Sequence, residues 1–205
     1  MTRVCLVGDA DVTLHYELLS RETSREALST YELERPFANT LAVRTVSLGA
    51  AISLCNDLQW YIVRFVDDVL IQEPSVSDTE WLSRPLAEAL RVSDVEPDET
   101  GEYLKIYGVE QPSTESETGT GRVSDTADVA GQVRPAQDPG DDDHSSSLDD
   151  EADSDGAPDA DEPVRPGSLV EPLYVRRTDG SVPSYDLRDV SETVVVRLTE
   201  AEYSP

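Results

Sequence analysis

The stretch from residue 109 to residue 167 contains no Phe, Trp, Tyr, Ile or Met, and sets 17 acidic residues against 3 basic ones. Such a segment cannot bury enough apolar surface to offset the entropy of ordering it. It is expected to be a long disordered acidic linker. It divides the 205-residue chain into a body (1–108), the linker (109–167) and a C-terminal segment (168–205). The last piece is β-rich by composition, yet too small to be stable alone. It is expected to dock on the body and complete it.

The body reads as mixed α and β. Val4–Val7 is a continuously apolar run ending at Gly8, the pattern of a central strand. A helix follows, with Asp11 or Thr13 as N-cap and Leu19, Thr23, Ala27 and Tyr31 on one face, stopped by Arg35-Pro36. Leu41–Leu48 reads as a strand and the small-residue run LGAAISLCNDL as a helix packed close to a sheet. The β-branched and aromatic run Trp60–Val66 predicts a strand, with Val69–Gln72 continuing it or pairing beside it. Ser77-Asp78-Thr79-Glu80 has the form of a capping box, with Val76 and Trp81 at the staple positions. Pro85 would then kink or break the helix that follows, with Ser83 restarting it. Tyr103–Tyr107 predicts a closing strand, ended by Gly108. In the C-terminal segment, Leu173–Arg177 and Tyr185–Val190 suggest a hairpin around Thr178–Ser181, and Thr193–Leu198 a further strand. The fold class expected is α+β or α/β, a small mixed sheet packed by two or three helices.

Charge narrows the setting. The chain has 43 acidic against 16 basic residues, a formal charge of −27, and Lys105 is its only lysine. A folded chain so charged repels itself. At about 1 M salt the Debye length falls to ~3 Å and the repulsion is screened. The composition therefore points to the cytoplasm of an extreme halophile. The longest uncharged run, Thr45 to Asn56, is far shorter than the ~20 residues of a membrane span, and the N-terminal residues lack the form of a signal peptide. Nucleic acid is disfavoured as a direct partner, because affinity there comes from phosphate neutralisation by Lys and Arg. Cys5 and Cys55 lie in apolar runs and read as buried thiols. With only His15 and His144 beside them they make no zinc site, and no cofactor is expected.

Two groups of residues could carry chemistry. Asp9 and Asp11 follow an apolar strand in DADVT, similar to the motif of haloacid-dehalogenase-type phosphatases. The acidic pair Asp67-Asp68 precedes Lys105 here, so that family's order is broken. A receiver-like arrangement would instead use Asp9 and Asp11 for Mg²⁺, Asp57 as phosphoacceptor and Lys105 as the conformational lysine. It requires Asp57 to end a strand, whereas the run before it reads as helix. The second group is the repeat Ser20-Arg21-Glu22 and Ser24-Arg25-Glu26, which places Arg21 and Arg25 on one helix face for an anionic or carboxylate partner. Ion pairing with Glu17 and Glu22 would reduce both arginines to surface residues.

The stretches RVCLVGDADV, YELLSRETSREAL, RPFANTLAVRTVSLGAAISLCNDLQWYIVRFV, EPSVSDTEWLSRPL and YLKIYG together resemble an uncharacterised family of haloarchaeal proteins, a domain of unknown function. The resemblance implies no activity and no site residues. The expectation is a non-catalytic regulatory or interaction module with a protein partner. The alternative is a small Mg²⁺-dependent phosphate-handling protein using Asp9 and Asp11.

Overall fold

The structure, a computed structural model, describes residues 1–112, 166–178 and 180–204. Most of the expected linker therefore lies outside the described residues. The others form an α+β unit around one seven-stranded mixed sheet.

The chain begins with β1 (Thr2–Gly8), followed by two short helices, α1 (Leu14–Leu19) and α2 (Glu22–Leu28). The single helix expected here is broken at Arg21, whose backbone is extended, and the break shifts the buried face. Leu14, Leu18, Ser24 and Leu28 are buried in the core, while the expected Leu19, Ala27 and Tyr31 pack partly buried at its margin and Thr23 faces solvent. Ser24 makes the break tolerable, because its buried hydroxyl donates to the Leu18 carbonyl left without a helical partner. Then come β2 (Thr40–Thr45) and α3 (Leu48–Asp57), whose N-cap Ser47 accepts the Ala50 N–H at 3.2 Å.

The strand expected at Trp60–Val66 is instead a helix, α4 (Gln59–Phe65), leading directly into β3 (Val66–Gln72). Leu58, Tyr61 and Ile62 are buried and Phe65 is half-buried, whereas Trp60, Val63 and Arg64 face solvent. That spacing is the helical period, and it overrides β-propensity.

No helix starts at Ser77 either. The Ser77 hydroxyl accepts the Glu80 N–H at 3.0 Å, but the Glu80 carboxylate turns away to bind two arginines. The chain runs on as β4 (Trp81–Ser83) into α5 (Arg84–Arg91). Ser83 is the N-cap, accepting from Leu86 N–H, and Pro85 lies in the first turn, where its missing N–H costs nothing. The restart expected at Ser83 is thus the start of the helix.

After a 3₁₀ turn, β5 (Tyr103–Glu110) continues two residues past Gly108. The C-terminal segment supplies β6 (Ser168–Arg176), β7 (Glu192–Leu198) and the short α6 (Glu200–Tyr203). The expected hairpin does not form, because Tyr185–Val190 is not a strand. β6 and β7 flank β5 on opposite sides, both antiparallel to it, in the order β2-β1-β3-β4-β7-β5-β6. A Cβ on Gly108 would lie 2.8 Å from both Tyr185 and Val190, so the segment that fails to pair packs over β5.

The sheet has a core on each face. Val4, Leu6, Leu41, Val43, Val69, Ile71 and Leu82 face α1–α5. On the other face, Cys5, Val7, Ala42, Leu70, Trp81, Tyr107 and Val196 form a second cluster drawn from strands at both ends of the order. Asp68 of β3 reaches Lys105 of β5 at 2.8 Å across two intervening strands, which requires the sheet to curl. Register shifts at Val7/Gly8 and Ile106/Gly108 assist the curl. The Ala38 N–H donates to the Gly167 carbonyl at 2.8 Å, joining the approaches to the two edge strands.

Glu110 pairs with Ser168, so the chain leaves β5 and re-enters β6 at one place. Replacing residues 113–165 by a loop of about five Gly/Ser residues should leave the thermal unfolding midpoint unchanged or raise it. Loop closure changes by at most about 2 kcal/mol in favour of the short loop. A markedly lower midpoint would show that the replaced residues pack on the sheet.

Candidate functional site

At the end of β1 the curl of the sheet leaves a cavity of about 420 Å³, lined by Gly8, Asp9, Asn39, Asp67, Tyr107 and Glu171 among others. Asn39 builds its rim. Its backbone has φ +51°, a left-handed conformation that Asn tolerates. Its side chain donates to the Asp9 carbonyl at 3.0 Å and accepts the Leu14 N–H at 2.9 Å. Asn39 thus caps α1 from a distance, whereas Thr13, the N-cap by position, makes no side-chain bond. A Cβ on Gly8 would lie 2.6 Å from Asn39 Nδ2, so only glycine fits beneath it.

Asp9 and Asp11 share this turn. Asp9 Oδ1 accepts the Asp11 N–H at 3.1 Å, and both residues are exposed. Asp57 is the last residue of α3, also exposed. Among the described residues no three His, Cys, Asp or Glu side chains are placed to hold a metal ion.

Lys105 is engaged elsewhere. Its Nζ lies 2.8 Å from Asp68 Oδ2, and the Tyr107 hydroxyl donates to the same oxygen at 2.8 Å. Asp68 Oδ1 accepts the Val69 N–H. Asp68 is on β3 and Lys105 on β5, with β4 and β7 between them in the order, so the pair braces the concave face. Burial works against the Lys105 charge, but Asp68 outweighs it and holds the ammonium above the ordinary lysine range. Burial, reinforced by the Asp68 charge, pushes the Tyr107 phenol far up as well. Cys5 and Cys55 are buried free thiols, raised by burial to about 12 and about 11, and so poor nucleophiles.

Arg21 and Arg25 are treated differently by the fold. Arg21 pairs with Glu17 at 3.2 Å, as expected, and lays its guanidinium 5.5 Å from the Trp60 ring and 5.4 Å from Phe65. Arg64 stacks on the same indole at 4.5 Å. Arg25 is exposed one turn further along, and no Glu22–Arg25 ion pair forms. The β-propensity of the run that holds Trp60 and Arg64 predicts a strand and so hides their pairing. Their i, i+4 spacing, with Leu58, Tyr61, Ile62 and Phe65 as the buried face, was the available signal.

Fold and sites together define an α+β protein built on a curled mixed sheet, with a carboxylate-lined cavity at one edge and an arginine-flanked aromatic on its helical side. The chain belongs to the family of unknown function DUF5804, whose model matches residues 2–109. No curated protein and no solved structure matches it. The family match therefore covers β1–β5, and β6 and β7 lie beyond it.

Asp68→Asn should cost about 2–4 kcal/mol, because it leaves a largely buried ammonium without its counter-charge. The folded pKa of Lys105 is raised, so its stabilisation is complete below the ordinary lysine pKa of ~10.4 and is lost as pH rises through the folded value. Denaturant titrations above about pH 10.4 should show this loss in the native chain and not in Lys105→Met. Equal alkaline slopes in the two proteins would remove the brace from the account.

Proposed function

We propose that the protein is a non-catalytic interaction module of an extreme halophile's cytoplasm, regulating a protein partner that docks on the exposed face of α4. One observation carries the reading: Trp60 is 49% exposed and Val63 72% exposed on the same short helix, while the chain's other tryptophan, Trp81, is buried. Solvent-facing aromatic residues framed by arginine are the composition of binding hot spots. The described carboxylates and the lone lysine favour the same reading. Asp68 and Lys105 are consumed by each other, and Asp9 serves its own turn. Among the described residues no helix is long and apolar enough to cross a membrane. The halophilic setting is supported by the formal charge of −27 and the single lysine.

Two measurements test the proposal. Affinity purification from native cells in molar KCl should yield a protein that accompanies the wild-type chain and is lost with Trp60→Ala. Retention of the same companions by the variant would refute α4 as the docking face. Circular dichroism from about 0.1 to 3 M KCl should show structure gained with salt as repulsion is screened. A cooperative melt independent of salt would remove the halophile argument.

A further inference from the structure

We infer that the α4 face takes an acidic protein segment carrying an apolar side chain, which seats on Trp60 and Val63 while its carboxylates meet Arg64 and Arg21. The inference rests on the interaction-module reading and names the partner's chemistry. Most cations around the fold are already committed: Arg3 and Arg44 to Glu34, Arg84 to Glu88, Lys105 to Asp68, Arg177 and Arg197 to Glu80. Arg64 makes no ion pair among the described residues. Its charge is instead held 4.5 Å over the Trp60 ring, with Arg21 5.5 Å from the same ring and only one carboxylate, Glu17, beside it.

A guanidinium stacked on an indole presents its flat face to the ring and keeps its in-plane N–H groups free at the edge. Those edges match a carboxylate in two-point contact. Stacking also fixes the side chains in advance, so less entropy is lost on binding. The apolar part of the seat is Val63, one turn from Trp60 and 72% exposed. Bases could stack on Trp60 too, but a nucleic acid brings one charge per phosphate against a chain of −27. A protein segment can confine its charge to the two arginines. At molar salt only such contact pairs and apolar burial survive screening.

The test uses the full chain in about 2 M KCl, where nonspecific attraction is screened. The probe is a short dye-labelled peptide of Leu and Phe that carries two acidic residues, one for each arginine. Anisotropy should show saturable binding that weakens about tenfold or more in Trp60→Ala and in Arg64→Ala, the range of hot-spot losses. It should weaken comparably when the peptide's acids become Asn and Gln. Arg64→Glu, at an exposed position, should abolish binding with the circular dichroism spectrum unchanged. Equal binding of the neutral peptide through Trp60 would overturn the acidic partner while leaving α4 as a docking face. Absence of any Trp60-dependent peptide binding would overturn both. Tighter binding of an oligouridylate would overturn it in favour of nucleic acid. A self-associating species abolished by Trp60→Ala would show that a second copy of the chain is the occupant.

Discussion

Strand β7 comes from the far end of the chain and lies between β4 and β5, so the strand ladders of the two halves of the sheet are joined only through it. Its seam with β5 is long, running from Tyr103↔Leu198 to Val109↔Glu192. Its seam with β4 is parallel and consists of Trp81↔Val196 and Leu82↔Arg197 alone. So short a ladder is weak, and it is braced on both faces. On the helical face, Glu80 next to β4 binds Arg197 of β7 and Arg177 just after β6, each at 2.5 Å. Burial opposes the Glu80 charge, but the two arginines prevail and hold the carboxyl below its ordinary range. The Ser83 hydroxyl donates to Glu202 at 2.7 Å, tying the start of α5 to the chain after β7. On the concave face the Asp68–Lys105 pair spans from β3 to β5. Breaking any of these leaves a charge or hydroxyl without its partner in a low-dielectric site, which costs more than the pair contributes when made.

The same braces explain which parts of the fold can be read from the sequence. Val4–Val7, the α3 run and Thr193–Leu198 are set by local pattern, and each lies inside an element of the expected type. Ser77–Glu80 satisfies the local rule for a helix start and forms only half of it, because Glu80 is claimed by arginines 97 and 117 residues away. Tyr185–Val190 has strand composition, yet it packs over β5 at Gly108 instead of pairing beside β6. For the sites, an acidic residue after an apolar strand drew attention to Asp9, which does line the cavity. Asn39 and Asp68 act through partners distant in sequence, which no local pattern marks, whereas Trp60 is marked only by the helical spacing that β-propensity masks.

The family match ends at residue 109, but the sheet is incomplete there. Residues 2–109 alone would leave β5 without its β7 neighbour and Arg197 absent from Glu80. The folding unit is therefore larger than the matched region, and residues 111–167 are inserted at a hairpin position between β5 and β6. Because the two ends of the insertion meet at Glu110 and Ser168, its length can vary at little cost to the sheet.

The charge distribution gives the arginines of α2 and α4 their significance. In a chain with 43 acidic residues, many surface arginines are drawn into ion pairs, as Arg84 is with Glu88, whereas Arg25, Arg35, Arg64 and Arg91 make none among the described residues. Arg64 instead lies over an aromatic ring, 4.5 Å from the centroid of the half-exposed Trp60. A buried Trp60 would gain more from apolar transfer than from stacking at the surface. The planar cation and the indole thus stand together at the surface. That combination has a physical rationale when a third group, apolar on one side and anionic on the other, completes it.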